Sequence, residues 1–229
     1  MSDKNKIAGA AGIIYLLVIV TGIFSLAYVP LQLIDWNNAG TTFSNISRST
    51  GLFSLGIFSS VVCYVAFIFL PLVLYRLLHT VHAQLACVMV ILALLSVPLS
   101  LINLQHKFAA LSIVEAAGHL KDGFSAELQN QLMFELQQYN NGLLLATVFW
   151  GLWLFPLGML AYRSGFMPKL LGILLMAGCT GYLINFTGNT LIEDYKQTAI
   201  RKFAGLLPSI AEISTCIWLL VAGLKTKKV

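Results

Sequence analysis

The sequence predicts an all-α membrane protein with six transmembrane helices and an amphipathic extramembrane helix between spans three and four. Of its 229 residues, 58% are apolar and only 10% are charged, and the mean hydropathy is +0.83. Soluble domains carry about 25% charged residues. Apolar runs of about 20 residues, enough to cross a hydrocarbon core of about 30 Å, recur along the chain. We expect one polytopic domain over residues 1–229, with spans at about 7–30, 51–74, 83–104, 142–162, 168–187 and 206–224.

The first span follows a short basic lead, MSDKNK. Ser25 and Ala27 resemble the small-residue cleavage site of a signal peptide, but the apolar stretch from Ile7 to Ile34 is about twice as long as a usual signal core. We therefore expect this span to be retained. The next segment, Asp35 to Thr50, is rich in Asp, Asn, Gly, Ser and Thr, which predicts a loop.

Prolines at positions 71 and 98 predict local kinks in the second and third spans, since proline removes a backbone donor. A long polar segment from Gln105 to Asn141 then follows. Within it, Leu128, Leu132, Leu136 and Tyr139 share one helical face after a cap at Ser125. This pattern predicts the amphipathic extramembrane helix.

Spans four and five form a hairpin around the short turn RSGFMPK. Gly165 can adopt the left-handed conformation that ends a helix, and Pro168 suits the first turn of the next helix. Arg163 and Lys169 flank the turn, and positive charge between spans marks the cytoplasmic side.

The charge distribution predicts a bacterial inner-membrane protein with both termini in the cytoplasm. In this orientation eight Lys and Arg residues face the cytoplasm, six lie outside, and seven acidic residues accompany the outer six. The basic residues are scattered singly and form no basic stripe, which excludes a nucleic-acid partner. The expected partners are the lipid bilayer and, if the chain is a binding or transport protein, a small-molecule or ion ligand.

No residue pattern indicates a metal or a cofactor. The cysteines lie inside apolar segments without CxxC spacing, so we interpret Cys63, Cys87, Cys179 and Cys216 as buried packing residues. His79 and His82 form an HxxH pair that lacks the third ligand of a catalytic zinc. We expect His106 and His119 to be solvated loop residues.

Glu212 is the one ionisable residue well inside a predicted span, where a carboxylate costs on the order of 2.5 to 3.5 kcal/mol. In one interpretation it is neutral and hydrogen-bonded to Asn185 or Asn103. In the other, it binds a cation, a proton or a polar ligand group in a cavity between the outer halves of the helices, roughly 9 Å below the outer end of span six. The candidate ligand-binding residues are Glu212, Asn185, Asn103, Tyr182, Trp150, Thr147 and Ser209.

Three classes of function stay open. The first is binding or transport of a small molecule or ion through the cavity around Glu212. The second is a structural or regulatory membrane subunit with no small-molecule ligand. The third, an intramembrane enzyme, is disfavoured because HExxH, GxSxG, phosphate-binding glycine loops and paired carboxylates are absent from the sequence, and we name no catalytic residue.

Several short motifs resemble the bacterial membrane family called domain of unknown function 4386. The turn YRSGxxP at Tyr162–Pro168 is the most specific of them. The resemblance implies a bacterial inner-membrane protein and carries no settled activity. The other matching residues are Gly12, Tyr15, Leu16, Leu17, Gly22, Tyr75, Arg76, Leu77, Leu78, Phe149–Leu152, Gly158, Gly172, Glu212 and Trp218–Leu220.

Overall fold

The computed structural model describes residues 3–117 and 125–224 of the chain. These ranges contain nine α-helices and a short 3-10 turn at Tyr195–Gln197. Six helical stretches within them are long and apolar enough to cross a membrane, which confirms the predicted fold class. The helices are α1 (Asp3–Leu33), α2 (Ala39–Arg48), α3 (Thr50–Leu78), α4 (Ala83–Asn103), α5 (Gln105–Ala117), α6 (Ala126–Leu152), α7 (Leu154–Arg163), α8 (Lys169–Leu191) and α9 (Ala199–Leu224).

Helix α2 occupies the segment predicted to be a loop, so that prediction is wrong. The Asn38 side chain caps the helix by accepting a hydrogen bond from Thr41 N (2.9 Å). Thr42, Phe43 and Ile46 are buried on one face of the helix. The abundance of Ser, Thr, Asn and Gly suggested a loop, but the cap and this short apolar face decide the structure.

The predicted amphipathic helix is the first part of α6, which continues without a break into the fourth span. Its cap forms as expected, since Ser125 Oγ accepts a hydrogen bond from Leu128 N (3.4 Å). Leu132, Leu136 and Tyr139 are buried along one face. His119 and the C-terminal lysines 225, 227 and 228 lie outside the described residues.

The chain divides into two compact units. Unit A comprises residues up to Leu17, Ala66–Pro98 and Leu144 onward. Unit B comprises Val18–Val65 and Leu99–Leu143. The apolar core of unit B includes buried side chains of α1, α2, α3, α5 and α6, namely Val29, Leu33, Phe43, Ile46, Phe53, Ile57, Ala110, Val114, Ala117, Leu132 and Leu136.

Glycines allow the helices of unit A to approach closely. A Cβ atom on Gly12 of α1 would lie 2.7 Å from Leu220 N of α9, and Gly9 packs against Gly223 one turn away. Since real Cβ contacts are not this short, only glycine permits the α1–α9 contact at Gly12. Small residues at helix crossings are typical of membrane bundles, where close backbone approach supplies van der Waals contact.

The hairpin of α7 and α8 crosses at a second glycine pair. A Cβ atom on Gly158 would lie 2.7 Å from the Gly172 carbonyl oxygen, and one on Gly172 would lie 2.6 Å from the Gly158 carbonyl oxygen. The turn between these helices has the predicted geometry, because Gly165 has φ +63° and Pro168 immediately precedes α8. Ser164 Oγ accepts from Met167 N (3.0 Å), which fixes the turn.

Candidate functional site

Glu212 lies at the midpoint of the 26-residue helix α9. Since α9 begins at Ala199, earlier than the predicted span, Glu212 is about 20 Å along the axis from the first residue of the helix. Within the described residues, its carboxyl group makes no hydrogen bond and no ion pair. It is therefore a carboxyl group in the middle of an apolar helix with no protein partner in those ranges.

The antiparallel register of α1 and α9 brings Tyr15 to Glu212. Gly9 faces Gly223, Gly12 faces Leu219 and Leu220, and the Cys216 thiol donates to the Gly12 carbonyl oxygen (3.6 Å). The same register places Tyr15 beside the turn of α9 that carries Cys216, one turn from Glu212. The Tyr15 hydroxyl accordingly interacts electrostatically with the Glu212 carboxyl group.

Tyr15 is 1% exposed, and its hydroxyl group has no hydrogen-bond partner among the described residues. A buried hydroxyl that is left unpaired costs about 1–3 kcal/mol. Such a group calls for an explanation, and binding of a ligand or of water is one of the common ones.

Trp153 adds a second unpaired donor beside Tyr15. It is fully buried, its ring centroid lies 6.4 Å from that of Tyr15, and Phe67 meets it edge to face at 5.2 Å. Its indole Nε1 has no hydrogen-bond partner among the described residues. Pro156 explains why the helix is interrupted here, since proline has no N–H to donate to Leu152 O and α6 ends at Leu152.

Tyr182 of α8 completes the group. Its Cβ atom packs against Gly151, where a side chain would come within 2.8 Å of it, and its hydroxyl interacts electrostatically with Glu212. We name Glu212, Tyr15, Tyr182 and Trp153 the Glu212 centre. It places a carboxyl group and hydrogen-bond donors inside a membrane-spanning unit, which suits a small polar molecule or a cation.

Among the other candidates in unit A, two hydroxyls bond to their own helices. Thr147 Oγ1 donates to Leu144 O (2.6 Å), and Ser209 Oγ donates to Gly205 O (3.3 Å). Trp150 is half-buried on α6 and has no ring contact within the described residues. Serine and threonine hydroxyls often satisfy themselves in this way inside helices.

Asn185 bonds to the start of α9 and not to Glu212. In the amide orientation that satisfies its neighbours, Nδ2 donates to Tyr195 Oη (2.7 Å) and to Arg201 O (3.2 Å), while Oδ1 accepts from Gly205 N (3.1 Å). Asn103 belongs to unit B, where its Nδ2 donates to Tyr139 O (2.8 Å). Asn185 and Asn103, the two amides expected to hydrogen-bond a neutral Glu212, are therefore bonded to other groups.

The sequence analysis named neither Tyr15 nor Trp153 as a candidate site residue. The available signal was the spacing of Gly9, Gly12 and Tyr15, which places all three along one side of α1 at successive turns. Small residues at two of these turns indicate where another helix must approach.

The described histidines make local hydrogen bonds or an ion pair, and the four cysteines are free thiols. His79 Nδ1 lies 3.1 Å from Tyr75 O, and His82 Nδ1 accepts from Leu85 N (3.1 Å) at the start of α4. His106 pairs with Glu135 (2.8 Å), so the expectation of a solvated loop residue is wrong. Cys87 is exposed, contrary to its predicted burial, whereas the other three cysteines are buried as predicted. The described ranges contain no group of three or more His, Cys, Asp or Glu side chains placed to hold a metal.

Comparison with known proteins finds a family match and a similar protein. A family model described as domain of unknown function DUF4386 matches residues 10–223. The chain is also similar to an uncharacterized protein of Archaeoglobus fulgidus, with 34% identity over 85 residues that cover 37% of this chain and 48% of that protein. The chain thus aligns with about half the length of that relative. No solved structure matches the chain.

Proposed function

Because this chain belongs to the membrane family described as domain of unknown function 4386, we propose its function from its own side chains: it binds, and carries across the membrane, a small polar molecule or a cation at the Glu212 centre. The observation that supports this proposal is a half-buried carboxyl group close to the buried Tyr15 hydroxyl, a donor that has no partner among the described residues. The family resemblance seen in the sequence is confirmed.

Energetics favour a ligand over a purely structural role for the Glu212 centre. Each unpaired donor costs about 1–3 kcal/mol, and a carboxyl group in an apolar helix adds its own insertion cost. A purely structural site would lower these costs with an internal partner, as Asn185 does with Tyr195 and Gly205. A ligand that accepts from Tyr15 and interacts with Glu212 would offset both costs at once.

Removing the Tyr15 hydroxyl tests the proposal without disturbing the packing. Tyr15→Phe keeps the aromatic contact with Trp153, and the hydroxyl that it deletes has no described partner. We expect about tenfold weaker ligand binding, and a ligand-free protein that is as stable as the wild type or more stable, because the deleted hydroxyl is buried without a partner among the described residues. Native mass spectrometry of the detergent-purified protein measures the fraction that retains a discrete bound mass.

The matched control is Tyr28→Phe, which removes the hydroxyl of a tyrosine that is 48% exposed on the same helix. This variant should bind like the wild type. Equal bound fractions in the wild type and Tyr15→Phe would contradict the proposed role of Tyr15.

The proposed orientation places both termini in the cytoplasm of a bacterial inner membrane. The excess of Lys and Arg on that side, and the acidic residues on the other, support it. A cysteine introduced at Ser164, in the turn between α7 and α8, should react with a membrane-impermeant thiol reagent only from the cytoplasmic side. The background is a variant without native cysteines, and labelling from outside intact cells would contradict the orientation.

A further inference from the structure

A cavity of about 420 Å³ lies within unit B and involves none of the residues of the Glu212 centre. This volume is in the range of small-molecule sites, which run from about 300 to 1,000 Å³. The walls are mostly apolar and come from the second half of α1, the residues just after it, α5 and α6, with Leu26, Leu31, Ile34, Leu136 and Leu143 among them.

A buried cation forms part of the cavity lining. Lys107 is 3% exposed although it carries an ammonium group. Its Nζ donates to the Ser25 carbonyl oxygen (3.3 Å) and lies 4.3 Å from the centre of the Tyr139 ring. Both contacts are attractive for a cation, but neither is a counter-charge.

The fold explains why Ser25 offers a carbonyl oxygen to Lys107. Phe24–Tyr28 forms a π-helical turn in α1, in which the Val29 amide bonds to Phe24 O. The next donor in this pattern would be the amide of Pro30 bonding to Ser25 O, and proline has no N–H. Lys107 therefore reaches a carbonyl oxygen that the helix leaves unpaired at a π-bulge, a feature that is frequent at functional sites.

No carboxylate neutralises Lys107 within the described part of the chain. The ion pair found there joins His106 and Glu135, so the acidic residue one turn before Tyr139 already has a partner. A buried ammonium without a counter-charge is costly, and paired or coordinated charges are the rule in protein interiors. An anion beside Nζ would remove this cost.

The residues that line the cavity differ in exposure. Lys107 and Tyr139 are buried, whereas Leu31 is 81% exposed and Trp36 is 44% exposed, and all four line the cavity. Asn140, another exposed lining residue, adds an amide. A ligand with a negative head and an apolar tail would match both kinds of lining residue.

We propose that this cavity binds an anionic amphiphile, with its carboxylate or phosphate head at Lys107 and its hydrocarbon tail along Leu31 and Trp36. The ligand can be a free amphiphile such as a fatty acid or a membrane lipid, and both present the same chemistry.

Decanoate is the probe for this site, used with the full chain in an uncharged detergent. We expect decanoate to form a discrete adduct in native mass spectrometry and to raise the Tm of the wild type. Decyltrimethylammonium, which has the same tail and the opposite charge, should do neither. Lys107→Met should weaken decanoate binding about tenfold or more, and Lys107→Arg should retain part of it.

Two further variants test whether decanoate binds in this cavity: one fills the cavity, and the other removes a positive charge elsewhere. Ala27→Phe adds a ring to the cavity lining and leaves Lys107 in place, so it should also weaken decanoate binding. Lys196→Met removes a positive charge at an exposed position and should bind like the wild type. The proposal is overturned if decanoate binds the wild type, Lys107→Met and Ala27→Phe equally, or if decyltrimethylammonium binds as well as decanoate.

Lipid nanodiscs distinguish a membrane lipid from a free amphiphile as the natural ligand of the cavity. If phosphatidylglycerol nanodiscs reduce decanoate binding relative to phosphatidylcholine nanodiscs, a membrane lipid occupies the site. If both compositions leave decanoate binding unchanged, a free amphiphile is the occupant.

Discussion

Replacing Glu212 by glutamine is expected to weaken ligand binding by about 10- to 100-fold and to leave the protein folded. Glutamine has nearly the same shape as glutamate, but it cannot carry the negative charge or release the proton of a carboxyl group. Loss of a charge-assisted hydrogen bond of about 1.5–3 kcal/mol corresponds to about 10- to 100-fold weaker binding. Native mass spectrometry gives the bound fraction, and thermal unfolding gives the stability.

Stability should stay the same or rise in Glu212→Gln, because a neutral amide costs less to bury than a charge. The matched control is Glu193→Gln, an exposed glutamate beyond the end of α8, which should behave like the wild type in both measurements. If Glu212→Gln keeps its bound mass, or no form of the protein carries one, a structural or regulatory role would be favoured over ligand binding.

Replacing Gly172 by alanine is expected to lower the free energy of unfolding by about 1–3 kcal/mol. The added methyl group would lie 2.6 Å from the Gly158 carbonyl oxygen and 2.8 Å from the Tyr162 amide nitrogen, both backbone atoms that a rotamer change cannot move. The helices α7 and α8 must therefore separate. Thermal unfolding in detergent, followed by tryptophan fluorescence, measures the loss.

Gly51→Ala is the matched control for this prediction. Gly51 lies in the first turn of α3, where an added Cβ atom would meet nothing within 4 Å. Alanine has the higher helix propensity, by up to about 1 kcal/mol, so this variant should be as stable as the wild type or slightly more so. A Gly172→Ala protein as stable as Gly51→Ala would show that the α7–α8 crossing tolerates a side chain.

Local features were predictable from the sequence because they depend on few residues. The spans follow from the length of apolar runs, and the positive φ of Gly165 follows from the turn between two such runs. The Ser125 cap was likewise evident from its place before a helical pattern. Helix α2 was missed because its apolar face consists mainly of Phe43 and Ile46 within a polar segment.

The composition of both candidate sites depends on contacts between distant parts of the chain. Tyr15 lies close to Glu212 because glycines let α1 and α9 approach in one register, and a single sequence does not reveal that register. Burial of Lys107 depends on the carbonyl oxygen that Pro30 leaves unpaired in another helix. A partial signal existed, since Lys107, Ala110, Val114 and Ala117 recur at helical spacing on the buried face of α5.

A high-resolution density map of the protein in lipid nanodiscs tests the Glu212 centre most directly. Binding of a ligand predicts non-protein density within hydrogen-bonding distance, about 2.6–3.2 Å, of both the Glu212 carboxyl group and the Tyr15 hydroxyl. A Tyr15 hydroxyl bonded directly to another protein group, with only lipid tails or protein atoms around Glu212, would contradict the proposed binding site.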